Sequence, residues 1–277
     1  MADEAHTFKR LVVGLEPRAS DRAMRVAVDL AELLHLELLG LFIEDPSLRD
    51  LAAFPFVREF QPMGGGWRSI DLDRLTDDLD IAIRSAERVF FGAAKDLTTR
   101  YQFKVARAGA AEAIASISRL GDIIAITEPS TPAMRATRHF SWFLNAAFHS
   151  DAAVMLAPFQ VARVKGPVVA IALEPDDPSI RAAAAIAVAA KENLIIVHGP
   201  EGKDDDPQYR KLAAETGLSI THAFTGNASL SDLTTYARVL RNVRERLVVA
   251  ARRTLEPELA LALVSSRHVP VLVIVPS

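Results

Sequence analysis

Val12-Val13-Gly14-Leu15-Glu16-Pro17 returns as Ala170-Ile171-Ala172-Leu173-Glu174-Pro175, and each copy leads through a serine, Ser20 or Ser179, into an alanine-rich stretch with helical spacing. Glu16 and Glu174 lie 158 positions apart, so the repeating unit is a whole domain and not the turn of a solenoid. Working outward from the first copy, short β-branched or leucine-rich runs at 10–15, 37–43, 101–107, 122–127 and 153–157 alternate with amphipathic segments. That alternation predicts βαβ units on a parallel sheet. The second copy repeats the order, with strands expected at 168–173, 194–198, 218–224, 246–251 and 270–275. The chain therefore reads as α/β: two tandem doubly wound domains, 1–160 and 167–277, each a five-stranded mainly parallel sheet flanked by helices, with a linker at 160–166.

Helical periodicity supplies the partners of these strands. Ala23, Val26, Ala27, Leu30, Ala31 and Leu34 fall on one face, as do Leu72, Leu75, Leu79, Ala82, Ala86, Val89 and Ala93, and then Ala110, Ala113, Ile114 and Ile117. A fourth helix is predicted over 132–149, opening on Pro132, where a missing backbone donor costs nothing. In the second half, helices are expected after a Ser179 cap, after Pro207, from Ser229 with Asp232 three positions on as in a capping box, and over 256–266. The symmetry breaks at 45–68, an insertion carrying Pro46, Pro55, Pro62, Gly64, Gly65 and Gly66 together with Phe54, Phe56, Phe60 and Trp67. Two readings of this long loop stand side by side, a functional lid or aromatic padding against the sheet or a partner subunit.

Half of the 277 residues are hydrophobic and 24% are charged, enough apolar material for two ordinary cores. The net charge is −3, and the 32 basic residues are mixed with 35 acidic ones without a basic stripe, which argues against nucleic acid as a partner. The absence of cysteine removes disulfides, thiolate catalysis and cysteine-based metal sites together. No apolar run approaches the length of a membrane span, and residues 1–7 are polar and acidic, unlike a secretory signal, so the expectation is a cytoplasmic protein without membrane contact. The seven histidines form no ligand pattern, and neither a G-x-S-x-G elbow nor a phosphate-binding glycine loop follows a strand. His198 closes a strand and reads either as lining a second-half pocket or as a surface residue. Asp71, Asp73, Asp77, Asp78 and Asp80 read as a solvated helix face, with the helix dipole favouring acids in its first turn.

The strand at 11–15, the Ser20-Asp21-Arg22-Ala23-Met24 entry to a helix, Gly121-Asp122-Ile123-Ile124-Ala125-Ile126, and the closing runs Ala153-Val154-Met155-Leu156 and Val269-Pro270-Val271-Leu272-Val273 follow one another in a characteristic order. In that order and spacing the chain resembles the universal stress protein family in its tandem form. The resemblance covers nearly the whole chain and implies strand order 3-2-1-4-5 in each half. It also implies that the closing strands at 153–157 and 270–275, apolar edges if left bare, meet across a pseudo-twofold axis as an intramolecular pseudo-dimer. A homodimer is left open, and no protein partner is indicated.

Family members that bind ATP carry, after the fourth strand, a glycine, two residues, a glycine, nine residues and then Gly-Ser or Gly-Thr. Glycines there let backbone N–H groups close around phosphates at a helix N-terminus. The three glycine positions fall here on Thr127, Ser130 and Phe140, with Ser141 kept after the third, so the loop has its length and none of its glycines. Phe140 would stand where backbone must approach a triphosphate. Ser130, Thr131 and Ser141 remain donors for a smaller anion, with Arg135 or Arg138 to neutralise it; equally, Ser130 and Thr131 serve as caps for the helix opened by Pro132. The second half has nearly lost the loop, leaving Arg252 and Arg253 at the strand end where open α/β sheets take ligands. The family's acidic residue after the first strand, which contacts the base, falls at or one position before Glu16 and Glu174, with Asp176 and Asp177 adding negative charge beside the second.

The resemblance thus implies a non-catalytic, universal-stress-type protein whose ATP-binding loop is lost or degenerate, acting through protein contacts or a small ligand in the first-domain crevice. The ligand candidates are Glu16, Thr127, Ser130, Thr131, Arg135 and Ser141 in the first half and Glu174, Arg252 and Arg253 in the second. No cofactor and no metal is expected, with ATP or AMP the candidates should the first domain hold one. The other reading is an adenine-nucleotide-binding stress module that keeps AMP, ADP or ATP through Glu16, Ser130 and Ser141. An adenylate-handling enzyme, a third class, finds no catalytic residue in the sequence.

Overall fold

The computed structural model describes residues 8–15, 21–52, 54, 56–61, 66–129, 131, 135, 138–199 and 206–275. Its first half runs β1 (Arg10–Leu15), α1 (Asp21–Leu33), β2 (Glu37–Glu44), α2 (Ser47–Ala52), β3 (Arg58–Gln61), β4 (Gly66–Ser69), α3 (Leu72–Ala94), β5 (Tyr101–Arg107), α4 (Ala110–Ile117), β6 (Asp122–Thr127), α5 (Arg138–Phe148) and β7 (Ala153–Ala157). The second runs β8 (Val168–Ala172), α6 (Pro178–Ala190), β9 (Leu194–His198), α7 (Pro207–Thr216), β10 (Ile220–Phe224), α8 (Leu233–Val239), β11 (Leu247–Ala251), α9 (Pro257–Arg267) and β12 (Val271–Ile274). Each strand expected from the hydrophobic runs is present, with ends that differ by no more than two residues.

Ten strands form one sheet in the order β10-β9-β8-β11-β12-β7-β6-β1-β2-β5. Each half therefore has the order 3-2-1-4-5 of its own principal strands. Neighbours are parallel except at the centre, where β7 and β12 run antiparallel with Met155 opposite Leu272 and Val154 opposite Val273. Both strands are fully buried, so the two apolar edges cover each other.

Side chains alternate across a strand, which gives the sheet two separate apolar layers. Leu11 and Val13 face Met24, Ala27 and Ala31 of α1 and Phe90 of α3, in a layer that continues to Ile180 of α6 and Tyr209 of α7. Val12 turns the other way, to the layer of Ile114 of α4, Phe143 of α5, Tyr236 of α8 and Leu263 of α9. Burial on both faces explains why the strands read as continuous apolar runs. Gly14 is a point of close approach: a Cβ there would lie 2.4 Å from the Phe143 ring.

Several local expectations are corrected. Asp177, not Ser179, caps α6: its carboxylate accepts from the Ser179 N–H at 3.0 Å, while the Ser179 hydroxyl donates to the Ile171 carbonyl at 2.8 Å and staples the helix to β8. Asp232 itself caps α8, accepting from the Thr234 N–H at 2.9 Å, and Ser229 binds Ser231 instead. In both cases a carboxylate close to the helix start outcompetes a hydroxyl for the free backbone donors. Ser20 lies outside the described residues, as does most of 132–137, and α5 is described from Arg138. The 45–68 insertion is not a structureless loop: it folds into α2 and a β3–β4 hairpin that forms its own two-stranded sheet.

The linker is pinned to the second half. The Ala162 N–H donates to the His268 carbonyl at 2.7 Å, and Arg163 donates to the carbonyls of Glu245 and Arg267 at 2.9 and 3.1 Å. Gly166 has φ +126°, and a side chain there would strike the Arg244 carbonyl oxygen at 2.1 Å, so the turn into β8 requires glycine. Among the described residues, no helix is long and apolar enough to cross a membrane.

Candidate functional site

In open α/β sheets ligands bind beyond the carboxyl ends of the strands, where the strand order reverses. Here that point lies between β1 and β6 in the first half and between β8 and β11 in the second. Glu16 and Ser130, two of the expected contacts, lie outside the described residues. Thr127 ends β6 half-buried, Thr131 is exposed, and Ser141 is exposed in the first turn of α5. Phe140 does not stand in the crevice: it is buried in the layer that contains Val12, Ile124 and Phe148, so its ring serves the core.

The residue after Thr127 is the organising one. Glu128 is buried and its N–H donates to the Ala157 carbonyl at 2.8 Å, which extends the β6–β7 ladder by one step. Its carboxylate accepts from Arg135 at 2.5 Å and from the hydroxyl of Ser265 on α9, and Arg135 also reaches Ser265 at 3.3 Å. Arg135, expected to face an anion, is thus held by an acid of its own half and a helix of the other. Beside the cluster opens a cleft of about 430 Å³, lined by Glu128, Pro129, Arg135, Ser265, His268, Phe159 and linker residues 160–162. Thr127, Thr131 and Ser141 are not part of its lining.

The second half places Arg252 at the corresponding step, one residue past β11 with its N–H donating to the Ile274 carbonyl at 2.8 Å. Arg252 is not a crevice residue: its guanidinium turns across the seam and donates to the carbonyls of Ser150 and Ala152, both at 2.8 Å, 5.9 Å from the Phe148 ring centre. Arg253 does face the crevice, 3.3 Å from Asp177 and 3.8 Å from the exposed Glu174. Its charge is matched there by two acids.

His198 is neither exposed nor alone. It is 2% exposed, its Nε2 lies 2.7 Å from Nδ1 of His222, and its ring lies against those of His222 and Phe224, both centres at 5.0 Å. Tyr209 meets it edge-on at 5.4 Å. Burial, reinforced by the charges of Asp206, Asp177 and Asp176, pushes the Tyr209 phenol up to about 12. Among the described residues, no group of three or more His, Asp or Glu side chains could hold a metal ion.

Sequence reasoning missed Glu128 and Ser265, and it set Glu174 and Asp177 beside the second crevice without pairing them to Arg253. One signal was available: Glu128-Pro129 repeats the Glu-Pro pair that closes Glu16-Pro17 and Glu174-Pro175.

Among solved structures, a universal stress protein from Archaeoglobus fulgidus DSM 4304 matches 99% of this chain with 99% of its own, with a TM-score of 0.64 at 13% identity. The fold is that of the universal stress proteins. Two structures from Pseudomonas aeruginosa, one of them of a functionally unknown protein from strain PAO1, match 99% of this chain and 95% of theirs at 17% identity, with TM-scores of 0.51 and 0.52. No protein-family profile and no curated protein matches the chain by sequence. On this universal stress fold, Glu128 and Arg252 occupy equivalent places after the fourth strand of each half, and each reaches into the opposite half.

Proposed function

We propose that this chain is a universal-stress-type protein that acts by binding and not by catalysis, with the phosphate cradle lost in both halves, through protein contacts or a small ligand in the first-half crevice. One observation carries the reading: Arg135, one of the two arginines after β6 offered to an anion, is bound to the buried carboxylate of Glu128 and to Ser265. A phosphate that recruited Arg135 would have to break a hydrogen bond to a charged group, at about 1.5–3 kcal/mol, or roughly a tenfold to hundredfold loss of affinity. It would also sit beside the carboxylate left behind. In the second half the guanidinium of Arg252 is turned away to backbone carbonyls and the charge of Arg253 is met by Asp177 and Glu174, so a phosphate could recruit either one only by breaking those bonds.

Isothermal titration calorimetry on the full chain with ATP and with AMP tests this. The expected result is no binding in the micromolar range. Micromolar binding that disappears in Ser141→Ala would overturn the proposal in favour of an adenine-nucleotide module. A thermal-shift screen of small metabolites then asks what the cleft takes, with Arg135→Ala abolishing the shift of any ligand that sits beside Glu128.

A further inference from the structure

Because β7 and β12 run antiparallel, the carboxyl end of β7 lies at the same end of the sheet as the amino ends of β8, β11 and β12. The linker crosses that end and borders two surfaces in series. At 159–162 it lines the cleft of about 430 Å³, whose apolar walls are Pro129, Phe159 and Val161, with Phe159 37% exposed. At 163–167 it runs against the turn before β11. Arg163 donates to the Glu245 carbonyl at 2.9 Å, the Arg246 N–H donates to the Pro167 carbonyl at 3.0 Å, and Gly166 abuts the Arg244 carbonyl. Val164, 64% exposed, carries apolar surface from the first stretch into the second.

Charge on the second surface is one-sided. Its acids are engaged: Glu245 is fully buried between Arg163 and Arg267, Glu192 accepts from the Gly166 N–H at 2.9 Å, and Asp29 of α1 interacts with Arg246. Lys165, Arg241 and Arg244 are exposed and have no ion-pair partner among the described residues. In a chain of net charge −3 this corner is a local reversal of sign, and such a patch attracts an anionic partner. The order of the two surfaces identifies that partner. A nucleic acid would bring phosphate to a cleft that has the Glu128 carboxylate in its lining, and three cations make only a short track for a phosphate backbone. A bilayer surface is too flat to enter a cleft. An extended peptide fits both stretches, because it advances about 3.3 Å per residue, as the linker itself does between Val161 and Lys165.

We propose that the linker face is a docking site for an acidic segment of another protein. One apolar side chain of the segment enters the cleft against Phe159 and Val161, and carboxylates three or four residues along meet Lys165 and Arg244. This rests on the reading that the chain acts by binding, and it gives the chemistry of the partner. The two fail separately: nucleotide calorimetry decides the first, and peptide binding decides this one.

A random peptide library displayed on phage, panned on the full chain, tests the proposal without presuming a sequence. The selected peptides are expected to carry an acidic run beside one aromatic or aliphatic residue. A fluorescein-labelled consensus peptide is then expected to bind with micromolar affinity in fluorescence anisotropy, and to weaken as salt shortens the screening length. Lys165→Glu/Arg244→Glu is expected to weaken it by about tenfold or more, and Phe159→Ser by a similar factor. Arg119→Glu, an exposed position before β6 at the other end of the sheet, is expected to leave it unchanged. A peptide with lysines in place of its acids is expected to bind Lys165→Glu/Arg244→Glu better than it binds the wild type, a rescue that a merely misfolded variant would not give. The proposal is overturned if no peptide is selected, if the selected peptides lack acids, or if their binding survives both Lys165→Glu/Arg244→Glu and Phe159→Ser. Co-sedimentation with phosphatidylserine-containing vesicles, or retention of a single-stranded oligonucleotide, that Lys165→Glu/Arg244→Glu abolishes while no peptide binds would also overturn it and give the corner to a lipid or a nucleic acid.

Discussion

Glu44 closes β2 as a buried carboxylate between Arg49 at 2.6 Å and Arg107 at 3.2 Å. Burial works to raise its pKa, but the hydrogen bonds and charges of the two arginines outweigh it and hold the carboxyl below its ordinary 4.5. A lowered folded-state pKa means that the stabilisation is present above about 4.5 and is lost as the pH falls through the lower folded value. Glu44→Gln is therefore expected to cost about 1–2 kcal/mol at pH 7, discounted for the exposure of Arg107, and less than half of that at pH 3. Urea unfolding at the two pH values measures both, and an equal loss at each would show the effect to be packing and not charge. Glu245 is a harsher case. It is fully buried and accepts from Arg267 at 2.7 and 2.9 Å and from Arg163 of the linker at 3.4 Å. Glu245→Ala strands the Arg267 guanidinium and is expected to cost about 3–5 kcal/mol in chemical denaturation; a loss below about 1 kcal/mol would mean that water replaces the carboxylate. None of these acids was legible in the sequence as a buried group. A carboxylate's neighbours along the chain do not tell which guanidinium the fold brings across from 22 or 82 positions away.

At the scale of elements, the sequence was most informative where one physical signal dominates. The strands could be read because burial on both faces of a parallel sheet leaves unbroken apolar runs, and α1, α3 and α4 because their apolar stripes recur at helical spacing. The helix starts at Asp177 and Asp232 were misplaced because several capping side chains compete within two or three residues and only the backbone geometry selects one. The β3–β4 hairpin reads as loop in the sequence because its strands are four residues long and its surroundings are rich in proline and glycine, the usual marks of a turn. The β1–α5 contact is a test of packing at this level. A methyl group at position 14 would meet the Phe143 ring at 2.4 Å, and Phe143 is itself nearly buried. Gly14→Ala is expected to destabilise the chain by about 1–3 kcal/mol through overpacking. Combining it with Phe143→Leu is expected to recover part of that loss, so the two changes should be strongly non-additive in thermal unfolding. Additive losses would place the strain in the β1 backbone instead.

For the whole molecule, the positions one step past β6 and β11 are the ones that fasten the halves together. Glu128 and Arg252 sit one step past β6 and β11, each continues its ladder through one backbone bond, and each sends its side chain across the seam, to Ser265 in one direction and to Ser150 and Ala152 in the other. The repeat in the sequence showed that the two halves are alike; it could not show that equivalent positions carry opposite charges for a shared mechanical purpose, because that depends on which surfaces the seam brings together. Between these two clasps, β7 and β12 are buried and complete a single sheet of ten strands. Neither half can then unfold without exposing the closing strand of the other, and that coupling is hydrophobic as well as hydrogen-bonded. The chain is accordingly expected to melt in one calorimetric transition, with calorimetric and van't Hoff enthalpies in agreement. Removing both clasps in Glu128→Ala/Arg252→Ala is expected to lower Tm by about 2–4 °C for each kcal/mol lost while leaving the transition single, because the β7–β12 seam remains. Two resolved transitions in the wild-type chain would refute the coupling. Two transitions only in the double variant would move it from the apolar seam to the clasps, and with it the reason for Glu128 and Arg252 being where they are.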